Sequence, residues 1–217
     1  MSKQFWAIII VILLVFVGIF AFSGNGKDSK KSTSNNKQAT QHVIGKGTAN
    51  VTLLEYGDYQ CPYCEQFAST IDQVREAYGD KLAFQFRNFP LTNAHPNAFA
   101  AARAAEAAGL QDKFWEMHQL LYAPGNWQVW TTASDPTTAF NQYAEQLGLD
   151  ATQFKADFTS IEVNNLINAD IAAGNKAGVT GTPSFFLNGK KIEVGNNVDD
   201  FKKKIDAEIA AQAKKNN

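Results

Sequence analysis

Val51-Thr52-Leu53-Leu54-Glu55-Tyr56-Gly57-Asp58-Tyr59-Gln60-Cys61-Pro62-Tyr63-Cys64 is the stretch whose reading decides the fold of this 217-residue chain. Its first part, 51–56, is an apolar, strand-like run. Phe67, Ile71, Val74 and Tyr78 then recur at helical spacing, and Gly79 is a suitable stop, so a strand passes directly into an amphipathic helix. Pro62 suits the first helical position, where its missing N–H costs nothing and its fixed φ is already helical. Cys61 and Cys64 are the only cysteines of the chain. The reactive form of cysteine is the thiolate, and the unpaired N–H groups and positive dipole end of a helix lower its pKa. Cys61 receives most of that field, whereas Cys64, one turn in, faces the core. Cys61 is therefore expected to attack and Cys64 to resolve.

Three other uses of the pair are weaker. A purely structural disulfide closing about four residues removes only about 2 kcal/mol of chain entropy, less than a longer loop would. Two thiolates are half a tetrahedral metal shell, and His42, His95 and His118 show no zinc-type spacing, so no metal is expected. Chance pairing of two buried cysteines does not account for the proline or for the strand-to-helix setting. Glu55 interrupts an otherwise apolar run, so it is expected to be partly buried with its pKa pushed up. Asp58 reads as a plain loop residue, and His95 and His118 as structural histidines of a helical region.

The length and a 45% hydrophobic content are enough for one sizeable core, and a formal net charge of −1 argues against nucleic acid as a partner. Lys202, Lys203, Lys204, Lys214 and Lys215 read as the solvated face of a terminal helix. Residues 5–22 form an uncharged apolar run long enough to span a bilayer. Small residues at Ala21 and Ser23 would suit a cleaved signal, but the run exceeds the usual signal core of about 7–15 residues, so 1–22 is read as an uncleaved anchor. Residues 23–42 are polar and low in apolar content, and read as a disordered tether that lets the domain roam about 25 Å. Lys27, Lys30, Lys31 and Lys37 outnumber the charges before the span. The domain is still placed on the extracytoplasmic side, because large domains translocate largely regardless of loop charge. A dithiol site also suits a compartment where disulfides persist.

Along the rest of the chain, Leu82, Phe84 and Phe86 alternate with Ala83, Gln85 and Arg87, a second strand with one buried face. A helical block is expected over about 93–177: an Ala-rich helix over 97–108 ended by Gly109; a face of Phe114, Met117, His118 and Leu121; a helix opened by Asp135 and Pro136; another capped by Asp150; and a long one carried by Val163, Leu166, Ile167 and Ile171. Ser184-Phe185-Phe186-Leu187, then Asn188-Gly189, then 190–194 reads as a hairpin. Phe201, Ile205 and Ile209 line a last helix. The expected class is α/β, a four-stranded mixed sheet flanked by helices over 43–217, with one transmembrane helix before it.

This order resembles the thioredoxin superfamily, specifically its DsbA-like branch, which carries a helical block inside the thioredoxin fold. The likeness covers about 43–213 and rests on the dithiol motif, the inserted helices and Gly178-Val179-Thr180-Gly181-Thr182-Pro183-Ser184-Phe185, similar to the family's cis-proline segment. It implies a protein thiol–disulfide oxidoreductase without an organic cofactor, with thiol-containing proteins as substrates. It also implies that Pro183 is cis and that a substrate peptide pairs with Thr182 as an added strand. Glu55 stands where the family's acid assists proton transfer at the buried cysteine. The partner implied is a membrane quinone-linked protein of DsbB type for a disulfide donor, or an electron donor for a reductase or isomerase. No dimerisation region is visible, so a monomer is expected. The chain departs from strongly oxidising relatives by having Tyr63 where many carry histidine, which leaves the redox direction open. A tethered peptide-binding module with an incidental dithiol is the alternative of another class.

Overall fold

The computed structural model describes residues 38–215, so the apolar run 5–22 and most of the polar stretch after it lie outside the described residues. Among the described residues no helix is long and apolar enough to cross a membrane.

The two strands expected around the dithiol helix form as a parallel pair. β2 (Val51–Gly57) is followed by α1 (Pro62–Tyr78), a short 3-10 turn (Gly79–Lys81) and β3 (Leu82–Asn88). β2 and β3 pair in parallel from Val51 with Leu82 to Gly57 with Asn88. Gly79 closes α1 with a positive φ of 49°, its N–H donating to the carbonyl of Arg75. β4 (Ser184–Leu187) lies antiparallel on the other side of β2, and Asn188 and Gly189, both with positive φ, turn it into β5 (Lys190–Ile192).

With β1 (His42–Ile44) the sheet has five strands, not the expected four, in the order β1-β3-β2-β4-β5. The extra one, β1, runs antiparallel to β3 at the edge. Three residues are too few to show a period, and nothing local holds them. Instead Thr40, two residues before the strand and within the stretch read as tether, is buried against α7 (Ile161–Lys176), its N–H donating to Asp170 Oδ1 at 2.7 Å. β3 is covered on both faces rather than one because the helices α1 and α7 both pack against it: Ala83 and Gln85 are buried as well as Leu82, Phe84 and Phe86. Gln85 Nε2 donates to the carbonyl of Thr40.

Between β3 and β4 stands the helical block: α2 (Ala98–Gly109), α3 (Phe114–Tyr122), α4 (Pro124–Thr131), α5 (Thr137–Gln146), α6 (Ala151–Phe158) and α7. α2 is its centre. Alanines 101, 102, 104, 105, 107 and 108 are all essentially unexposed, as expected of a largely apolar helix whose small side chains let α3, α5, α6 and α7 pack against it. Asp150 caps α6 by accepting from Thr152 N and Gln153 N, and Asp135 accepts from Thr137 N at the start of α5. α8 (Val198–Lys215) packs Phe201 and Ile205 beside α1 and β2, with its lysines exposed.

Candidate active site

Cys61 is the N-cap residue of α1, with Pro62 at the first helical position. A side chain at that place faces the orphan N–H groups of the first turn, here those of Tyr63 and Cys64. The Cys61 thiol is lowered to about 6. The largest cause is donation from the Cys64 thiol, which outweighs burial in the opposite sense; the Cys64 N–H, the Thr182 hydroxyl and the Tyr63 N–H add to it. Cys64 is only 1% exposed, and burial pushes its thiol well above the ordinary range, helped by the hydrogen bond to Cys61 and by the charge of Glu55. Two chemically identical side chains three residues apart thus acquire opposite character because one caps the helix and the other faces the core.

The other predicted residues gather around them. The Thr182–Pro183 peptide bond is cis, and the Cys61 thiol donates to the carbonyl of Thr182 at 3.4 Å. The Thr182 hydroxyl is buried beside the Cys61 sulfur and has no other partner among the described residues. Glu55, on the core-facing side of β2, is 4% exposed and raised to about 8, first by desolvation and then by the charge of Cys61. Gly57, two residues on, must be glycine. A Cβ there would lie 2.3 Å from the Phe86 ring and 3.1 Å from Glu55 Oε1. Tyr63 points outward, 66% exposed, over a groove of about 450 Å³ lined by Phe67, Thr182, Pro183, Phe185 and Ile192.

Sequence reasoning missed what holds the loop between β2 and α1 in place. Asp58, read as a plain loop residue, is 1% exposed and organises the loop. Its Oδ1 accepts from Gln60 N, and its Oδ2 accepts from Leu91 N at 2.8 Å and lies 2.7 Å from His95 Nδ1. Its own N–H faces Cys64 Sγ at 3.5 Å. Gln60 accepts from Asn97 N and donates to the carbonyl of Thr131. Trp127 Nε1 donates to the carbonyl of Tyr59, and the Tyr59 hydroxyl lies 3.0 Å from His118 Nδ1. Burial holds His118 well below the usual imidazole range, so it is neutral there. The helical block is therefore the clamp of the dithiol loop. The Asp-x-Gln spacing at 58–60 was the one local signal of it, an Asx turn.

A family model described as thioredoxin matches residues 37–207. The chain belongs to the thioredoxin family. Among solved structures, a thioredoxin-like oxidoreductase from Silicibacter pomeroyi is similar at 26% identity and a TM-score of 0.64, over 77% of this chain and 91% of that one. DsbA1 of Wolbachia pipientis shares the fold, with 22% identity and a TM-score of 0.70 over 85% of this chain and 100% of the other. This thioredoxin-family protein thus has the fold of DsbA1, with the inserted helices that the sequence led us to expect. It also matches a protein named Na(+)/H(+) antiporter NhaA 1 of Mycolicibacterium gilvum, 40% identical over 152 residues. That match takes in 69% of this chain but only 24% of the antiporter, so the chain spans about a quarter of the length of such curated relatives.

Proposed function

We propose that this protein is an extracytoplasmic thiol–disulfide oxidoreductase that passes its Cys61–Cys64 disulfide to proteins crossing the membrane. The observation that carries the reading is the contrast between the two sulfurs, Cys61 lowered to about 6 and Cys64 raised well above the ordinary thiol, with Thr182 and Pro183 against the first and Glu55 near the second. A substrate thiolate attacks Cys61 Sγ, the Cys61–Cys64 bond breaks, and Cys64 leaves as a thiolate that takes a proton. A second substrate thiol then attacks the mixed disulfide and releases Cys61, which leaves easily because its thiolate is stabilised. At pH 7 a thiol with a midpoint near 6 is about 90% ionised, which stabilises the reduced form by about 1.4 kcal/mol over an ordinary thiol, or about 30 mV toward oxidant for a two-electron couple.

The groove beside Tyr63, lined by Thr182 and Pro183, is the place for a substrate peptide to add as a strand. Reoxidation calls for a quinone-linked membrane partner of DsbB type. Tethering by residues 1–22 would keep the domain beside such a partner and beside emerging chains. Equilibrating the full chain with glutathione tests the direction. A potential near about −120 mV would support a disulfide donor, and one near about −270 mV would make the protein a reductant fed by an electron donor.

A further inference from the structure

Only three buried side-chain polar atoms among the described residues lack a hydrogen-bond partner: Asn88 Oδ1, the Thr182 hydroxyl and the Tyr122 hydroxyl. Buried polar groups without partners are rare enough that each calls for a reason. Thr182 has one, since it stands by the Cys61 sulfur. Tyr122 closes α3 and is 6% exposed. With Glu55, Cys64 and His118 it lines a cavity of about 180 Å³ between α1 and α3, which Glu65 and Arg75 also line. The ring is held by its neighbours, 4.9 Å from Tyr59 and 5.1 Å from His118 between centroids. The Tyr59 hydroxyl is already engaged with His118, which leaves Tyr122 as the hydroxyl on this wall with no partner.

We propose that Tyr122 is a positioning residue for the buried half of the dithiol, its hydroxyl holding a water in this cavity that bridges the Glu55 carboxyl and the Cys64 sulfur. Roughly 10–15 Å³ of such volume accommodates one water, which needs two to four polar partners, and the cavity has room to spare and offers three. No hydrogen bond from another described side chain reaches Glu55, so water in the cavity is its route to Cys64. The inference rests on the exchange reaction proposed above. When a substrate thiolate attacks Cys61, the electron pair of the broken disulfide goes to Cys64, and the proton held by Glu55 passes to it through the water. Glu55 is left as a carboxylate, and the net charge is unchanged. The phenol, whose own proton is held well above the ordinary tyrosine range by burial and by the charges of Cys64 and Glu55, donates and does not ionise. The other titratable groups around Glu55 are Cys61 at the head of α1, Tyr59 on the loop, His118 on α3, and Glu65, Asp72 and Arg75 of α1, which line the same cavity.

The test is Tyr122→Phe, which deletes one oxygen and keeps the ring. Losing a donor to the charged form raises a carboxyl pKa. The Glu55 midpoint, followed by carboxyl ¹³C NMR, is expected to rise by about one pH unit from about 8, with the Cys61 midpoint unmoved near 6. Single-turnover disulfide transfer should slow about tenfold, but show no further loss when Tyr122→Phe is added to Glu55→Gln. A Glu55 titration superimposable on that of the unaltered protein, or an equal loss of rate in the Glu55→Gln background, would overturn the proposal. If the unaltered protein transfers no disulfide, the exchange reaction itself fails, and the NMR titration still decides the role of Tyr122.

Discussion

Replacing Thr182 by valine keeps the branched shape, the backbone carbonyl and the burial, and removes only the hydroxyl beside Cys61. That hydroxyl has no other partner, so its loss leaves nothing else unsatisfied. A hydrogen bond to a charged group contributes about 1.5–3 kcal/mol, and one pKa unit corresponds to 1.36 kcal/mol. Because a sulfur acceptor takes the low end, the Cys61 midpoint should move from about 6 to about 7. At pH 7 the thiolate fraction then falls from about 90% to about half, the reduced form loses about 1 kcal/mol, and the reduction potential drops by about 20 mV. The assay is ultraviolet thiolate absorbance against pH, with the potential measured on the same sample against glutathione. Cys64→Ala, which removes the largest of the stabilising donors, should raise the midpoint further than Thr182→Val does. A Thr182→Val midpoint still near 6 would refute the reasoning and leave the acidity of Cys61 to Cys64 and the helix N-terminus alone.

Further outcomes follow from the same geometry. Glu55 binds its proton more tightly in the fold than in the unfolded chain, its midpoint raised from 4.5 to about 8, so the cost of ionising it is absent below pH 4.5 and grows as pH rises toward 8. Glu55→Gln should therefore stabilise the protein by up to about 3 kcal/mol at pH 7 and by nothing at pH 4 in denaturant titrations, and an equal gain at both would contradict this. Asp58→Ala strands the buried-side donors Leu91 N and Gln60 N, and should cost about 3 kcal/mol by the same measurement; a loss below about 1 kcal/mol would show that the loop is held without it. Asp170→Ala removes the acceptor of Thr40 N, Thr40 Oγ1 and Asn88 N. Amide exchange should then accelerate in β1, with the β2 amides still protected. Unchanged β1 protection would mean that pairing with β3 suffices.

The residues to which the chemistry is assigned in our proposal were legible because their signals are local. Pro62 after Cys61, the 3.6-residue recurrence through Tyr78 and the stop at Gly79 lie within one helix, and they decide which cysteine caps it and which faces inward. Glu55 stood out as a charge in an apolar strand, and burial alone is enough to raise its pKa. The hairpin at Asn188-Gly189 was equally plain, since two consecutive positive φ angles favour that pair. The clamp on the active-site loop was not legible. Asp58 meets Leu91 and His95, Gln60 meets Asn97 and Thr131, and Tyr59 meets Trp127 and His118, all partners more than 30 residues away.

By itself, then, the sequence determined the strand-to-helix junction, the unequal settings of Cys61 and Cys64 and the helical insertion, because each depends on periodicity, capping or turn chemistry within a few residues, while its resemblance to a known family supplied the thioredoxin class. Tertiary structure alone decided the fifth strand, the covering of β3 on both faces, the anchoring of Asp58 and the orphan hydroxyls of Thr182 and Tyr122 beside the two sulfurs. Those features arise where segments distant in the chain pack together. Whether a polar side chain there finds a partner depends on what the fold brings opposite it, which no local pattern records.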